Sequence, residues 1–191
     1  EEANDYVKII GQKSKKLKQL TSDLFDVSKA RSGSEELELE SIDYKLLVTQ
    51  SEAELDSEIQ KAGLEFVLDL PDGDVRINAD GKKLSRVFEN LIMNAIKYSL
   101  RGTRVYIDLR THDDICTVEI KNIANYKMNF DDDEITERFV RGDASRTGDG
   151  SGLGLAIARS YVELMGGKFY IKTDGDLFKA VIEFRTDTMN G

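Results

Sequence analysis

Asn90 and Asn94 stand one helical turn apart in "NLIMNAIKYS", residues 90–99, where Leu91, Ile92, Ala95 and Ile96 belong in a core. An amide buried among apolar side chains without a partner is costly, so two of them at this spacing ask for a ligand. At 100° per residue, Asn94 lies about 40° from Asn90 and Lys97 about 20° to its other side. Leu84, Val87, Leu91 and Ala95 centre roughly 110° away, so the polar stripe borders the apolar one and sits on the rim of a pocket. A neutral carbonyl oxygen can complete the shell of Mg²⁺, which keeps waters and phosphate oxygens as its other ligands. Lys97 can meet a phosphate as a point charge. Capping of neighbouring backbone is the other use such amides have.

A second signal follows in "TGDGSGLGLAIARS", where Gly148, Gly150, Gly152 and Gly154 precede an amphipathic helix. Glycines let backbone approach a polyanion closely, and the free N–H groups at a helix start attract phosphate. The third glycine is misplaced for a dinucleotide-binding fingerprint, and no Gly-Lys-Ser/Thr follows as a P-loop requires.

These segments need elements to hold them. Residues 3–29 read as one helix with a heptad seam: Ala3, Ile10, Leu17 and Leu24 in one position, Tyr6, Lys13, Leu20 and Val27 in the other. Such a stripe expects partner helices, and "RSGSEE" ends the helix as a connector. "LELES" reads as a short strand and 43–62 as a helix. "LEFVLDL" and "VRINA" are strands flanking the turn "PDGD", and Asp80 caps a helix over 80–99. "RVYIDLR" and "ICTVEIK" alternate about the turn "THDD" as a hairpin. Residues 123–150 are polar and irregular, a helix spans 152–165, and "KFYIKTDGDLFKAVIEF" forms a last hairpin. Helices and antiparallel strands in this order predict a two-layer α+β sandwich preceded by one long bundle-forming helix.

Bulk properties narrow the classes. The chain has 191 residues, 40% of them hydrophobic, which suffices for a real core. No apolar run approaches the roughly 20 residues of a membrane span, and a net charge of −9 argues against general nucleic-acid binding. The lone Cys116 permits no internal disulfide and alternates with Val118 and Ile120 onto one face, which predicts an inert, packed thiol in a reducing compartment.

Together, "NLIMNAIKYS", "RFVRGDASR" and "GSGLGLAIARSYVELMGG" resemble the second dimerisation helix and catalytic ATP-binding domain of bacterial sensor histidine kinases, within the Bergerat-fold ATPases. The resemblance implies residues 1–32 as the second helix of the dimerisation bundle, 33–36 as a linker and 37–186 as the catalytic domain, with a lid at about 123–150. It implies Mg²⁺-ATP as the ligand, Asn94 as the Mg²⁺ ligand, Asn90 and Lys97 near the phosphates, and Tyr98 against the nucleotide. Gly150, Gly152, Leu153, Gly154 and Leu155 would wrap the triphosphate, Phe139 would anchor the lid, and Arg141 and Arg146 would neutralise γ-phosphate charge during transfer. A response regulator, a homodimer built through the bundle and a place on the cytoplasmic side of an inner-membrane receptor are implied with it.

The chain departs from the family pattern in two places. The Asp-x-Gly-x-Gly box expected after Lys121 reads "NIANYKMNF", with Asn122 in the aspartate position and no glycine. The acceptor histidine expected on the preceding bundle helix is absent, and the single histidine, His112, falls in a predicted turn. The expectation is a fragment of a longer receptor that transfers phosphate to a histidine carried elsewhere. "NIANYKMNF" also suits a dimerising scaffold without nucleotide. A serine kinase of the anti-sigma type shares the fold, although the heptad helix argues against it.

Overall fold

The apolar stripe of residues 84–95 organises the molecule. In the computed structural model, which describes residues 2–32, 36–126, 128 and 153–187, that stripe lies on helix α4 (Gly81–Tyr98) and buries Leu84, Val87, Phe88, Leu91, Ile92 and Ala95. Ahead of it come α1 (Glu2–Ser32), β1 (Glu40–Asp43), α2 (Tyr44–Ala53), α3 (Asp56–Ala62), β2 (Glu65–Asp69) and β3 (Arg76–Ala79). After it come β4 (Arg104–His112), β5 (Ile115–Ile123), α5 (Gly154–Leu164), β6 (Lys168–Asp174) and β7 (Leu177–Arg185).

Five strands make one sheet in the order β2-β4-β5-β7-β6, with β2 parallel to β4 and every other pair antiparallel. Alternation along the strands turns Val105, Ile107, Leu109, Cys116, Val118, Ile120, Ala180 and Ile182 toward the helices, all of them buried. α4 and α5 pack against each other over this face, and Tyr44 of α2 meets Phe88 and Phe184 edge-on at 5.9 and 6.1 Å. The expected two-layer α+β sandwich is present. Burial pushes the Cys116 thiol up to about 12, as an inert core thiol requires.

The strands flanking "PDGD" are both present and take different partners: β2 joins the large sheet, whereas β3 pairs with β1 in a separate two-stranded ladder. Two expectations from the sequence change. The single helix over 43–62 is two, because the chain tightens at Leu55, whose N–H bonds the Glu52 carbonyl three residues back instead of four. Val48 and Ile59 are both buried and, 11 residues apart, would share a face of an unbroken helix, so periodicity gave no warning of the break. His112 is the last residue of β4, paired with Ile115, and the turn itself is Asp113-Asp114 with Asp113 at φ 54°.

α1 is continuous, as its seam predicts, and divides along its length. Ile10, Leu17 and Leu24 are exposed, while Asp23, Val27 and Ala30 near the other end are buried. That end packs against α5, and Arg86 of α4 pairs with Asp23 at 3.1 Å and Asp26 at 3.8 Å. None of the described helices is long and apolar enough to cross a membrane.

Candidate functional site

α4 begins where the sequence predicts. Asp80 accepts hydrogen bonds from the Lys83 and Glu38 backbone N–H groups, both at 3.1 Å. Burial alone would raise its carboxyl, but those donors and the Lys83 ammonium outweigh it and hold its pKa below the usual carboxylate value. The cap fixes the helix phase, and with it the rim.

Along that rim, Asn90, Asn94, Lys97 and Tyr98 are all half-buried. Asn90 donates through Nδ2 to the Arg86 carbonyl at 2.8 Å, leaving Oδ1 directed at the start of α5. A Cβ on Gly154 would lie 3.0 Å from that Oδ1, tighter than packed groups normally tolerate. A side chain at 154 would press on Asn90, and the two sequence motifs meet at this contact. Asn94 has no hydrogen-bond partner among the described residues. The Lys97 ammonium lies 4.9 Å from the centre of the Tyr98 ring, which meets Tyr126 edge-on at 6.1 Å.

α5 opens without a side-chain cap: Leu153 takes the N-cap position and offers none. A helix start carries N–H groups without partners inside the helix, which suit an acceptor from outside it. Leu155 is only 5% exposed and belongs to the core, so what it can offer a ligand is its backbone N–H.

Asn122 stands on the helix-facing side of β5, 3% exposed, and its side chain has no hydrogen-bond partner among the described residues. The segment after it is tied down by backbone. Ala124 bridges Ser99, its N–H bonds the Asp176 carbonyl at 2.8 Å, and the Asn125 N–H bonds the Tyr98 carbonyl at 2.8 Å. Phe139, Arg141, Arg146, Gly150 and Gly152, with nearly all of the expected lid, lie outside the described residues. Arg86 and Tyr126 were not singled out from sequence. The available signal for Arg86 was its place four residues before Asn90, where a helix carbonyl can receive the amide.

The arrangement fits Mg²⁺ of the kind that keeps most of its own ligands. Among the described residues no group of three or more His, Cys, Asp or Glu gathers as a metal cage, and the free Asn94 amide supplies one neutral oxygen. Solved structures share the architecture. Full-length ShkA in complex with AMPPNP superposes with a TM-score of 0.81 at 21% identity, covering 97% of this chain and 39% of that one. Histidine kinase ThkA in complex with the response regulator protein TrrA does so at 0.77 and 20% identity, covering 100% and 53%. At such identity the likeness defines the fold class, that of histidine kinase catalytic domains. The chain belongs to the histidine kinase-, DNA gyrase B- and HSP90-like ATPase family, which it matches over residues 79–187. Sensor protein VanS of Enterococcus faecium is 30% identical over 174 residues, 88% of this chain and 44% of VanS, so the chain spans less than half of that relative.

Proposed function

We propose that the chain is the ATP-binding catalytic region of a sensor histidine kinase, with residues 1–32 as the second helix of its dimerisation bundle and 37–186 as its catalytic domain. The observation that carries this reading is the meeting of Asn90 with Gly154 at the start of α5, with the Asn94 amide, which has no side-chain partner among the described residues, one turn further along. The triphosphate lies at the α5 N-terminus, where backbone N–H groups of Leu153, Gly154 and Leu155 and the helix dipole favour anionic oxygens, and Gly150 and Gly152 allow its close approach. Lys97 adds a positive charge and Tyr98 lies against the nucleotide, while Asn122 faces its other end. Asn94 would hold Mg²⁺, which would supply charge neutralisation for the phosphates.

Transfer breaks the bond between the γ-phosphorus and the β,γ-bridging oxygen, which leaves with ADP, and forms a bond to an imidazole nitrogen that gives up its proton. Arg141 and Arg146 offset charge on the equatorial oxygens during the transfer. The Asn90 amide has no basic site to take a proton from water, so hydrolysis is disfavoured against transfer to a protein acceptor. The single histidine, His112, has a side chain 93% exposed at the end of β4, with Nδ1 3.0 Å from its neighbour Asp113. The acceptor is therefore a histidine on another bundle helix, whose phosphoryl group passes to a response regulator. The exposed seam of α1 suits the bundle of a homodimer, and the setting is the cytoplasmic side of a membrane receptor.

Incubation with γ-labelled ATP and a separate bundle carrying an acceptor histidine tests the reading. Acid-labile label is expected on the added bundle and none on this chain. Label on His112, or on a serine of an added substrate, would overturn it.

A further inference from the structure

Asn122 is buried, and nothing in the described fold uses its side chain. Leaving an amide in such a place without a hydrogen bond is costly, and Asn122 has no partner among the described residues. Its amide is nevertheless not sealed in. Among the described residues the Tyr44 hydroxyl is the one buried side-chain nitrogen or oxygen that lacks a partner and is closed off from solvent. Both ends of the Asn122 amide therefore open onto space that a ligand can reach.

The residues that follow Asn122 are fixed to the end of α4. The Leu100 N–H bonds the Ile123 carbonyl at 2.8 Å, Ala124 bridges Ser99, and the Asn125 N–H bonds the Tyr98 carbonyl at 2.8 Å. The start of α5, by contrast, meets α4 at Asn90. From Asn90 to Tyr98 the helix rises about 12 Å, the kind of separation that divides the phosphates of an extended nucleotide from its base. Directly across from Asn122 on β7 stands Phe178, 4% exposed, so an apolar ring flanks the amide. One amide beside apolar side chains suits a planar heterocycle with a hydrogen-bonding edge.

An amide carries a donor, Nδ2–H, next to an acceptor, Oδ1. No described residue holds either end of Asn122, so the fold imposes no choice between its two flipped orientations. Adenine presents a donor at N6 beside an acceptor at N1. Guanine presents an acceptor at O6 beside a donor at N1, in the same two places on the ring. One orientation of the amide is complementary to each, whereas a carboxylate could only accept and would repel guanine O6. We infer that Asn122 reads the edge of the base, and that its freedom to flip makes the site take guanosine as well as adenosine triphosphate. The inference rests on the proposed nucleotide site and adds its base selectivity.

Displacement of a fluorescent ATP analogue by ATP, GTP and tripolyphosphate, each with Mg²⁺, tests this in the wild type and in Asn122→Asp. The titrations are run at about pH 8, well above the ordinary carboxylate range. In the wild type GTP is expected to bind within about 10-fold of ATP, and both at least about 10-fold more tightly than tripolyphosphate, which has no base. Asn122→Asp should weaken GTP at least about 10-fold more than ATP. The wild-type comparison needs no variant, so it decides alone if Asn122→Asp shows no melting transition. Three results would overturn the inference while the ATP reading stands: a wild type preferring ATP over GTP by more than that factor, GTP no tighter than tripolyphosphate, or a folded Asn122→Asp chain that weakens the two alike. A wild type that does not bind the analogue at all would overturn both.

Discussion

Asn90 and Asn94 share a helix, a side-chain type and a degree of burial, yet they are held in opposite ways. Asn90 is engaged at both ends of its amide, donating to Arg86 and lying against Gly154, whereas Asn94 has no partner among the described residues. A residue held by the fold contributes to stability and orientation together. A residue without partners in the fold contributes to stability only weakly, which is what a ligand-binding group looks like before its ligand arrives. On the proposed function, the α4–α5 contact is the frame of the site and Asn94 is its receptor.

The harshest way to break the frame is Gly154→Val. Its Cβ would fall 3.0 Å from Asn90 Oδ1, so the Asn90 side chain would have to give way. The expected cost is about 1–3 kcal/mol in urea denaturation together with loss of ATP binding by more than ~100-fold. A variant that kept both would remove the contact from the account.

Next comes the attachment of α1. Asp23 is 4% exposed, and Arg86→Met would take from its carboxylate the guanidinium at 3.1 Å. We expect a loss of about 2 kcal/mol, less than for a fully buried pair because the Arg86 side chain is 29% exposed. Hydrogen exchange in residues 20–32 should quicken, while ATP affinity changes little because the carbonyl that holds Asn90 is backbone. Unchanged exchange there would mean that packing of Val27 and Ala30 alone holds the helix.

Asn90→Ala sharpens the comparison at smaller scale. Losing the bond to Arg86 should cost about 1 kcal/mol of stability and roughly 10-fold in ATP affinity, so both readouts move together. Stability without affinity loss would make Asn90 purely structural.

How much of this could be read in advance follows from the range of each interaction. Asp80 and the 3.6-residue stripe specify α4 within one segment, so the helix and its polar rim were legible. The glycines before α5 were legible as a site but not for the reason Gly154 is one, since its partner Asn90 lies far away in sequence. "PDGD" marks a turn, yet the partners of β2 and β3 are chosen by long-range pairing with β4 and β1, which no local signal carries. The heptad on α1 predicted its apolar stripe, while the buried Asp23 sits outside the pattern and was found only in three dimensions.

The smallest effect is a pH dependence that should leave the site untouched. Burial raises Cys116 to about 12 and raises Tyr44 well above 10, and Tyr170 lies at about 12 through burial and Glu183. Each group keeps its proton more tightly folded than unfolded. The stability this contributes is fully present below the unfolded values of about 9–10 and is lost as pH rises toward 12. Urea midpoints should be flat from pH 7 to 8 and fall at about pH 10–11, less steeply in Cys116→Ala. A midpoint that rose over that range would contradict the sign.

The central claim is that Asn94 exists for the ligand and not for the fold, and calorimetric titration of Mg²⁺-ATP into wild type and Asn94→Ala tests it most directly. The account predicts one-to-one binding by the wild type that weakens when Mg²⁺ is chelated, and loss of that Mg²⁺-dependent affinity in Asn94→Ala at a melting temperature equal to wild type. Equal affinity in the two proteins, or an Asn94→Ala chain that loses binding only because it has lost its fold, would contradict it.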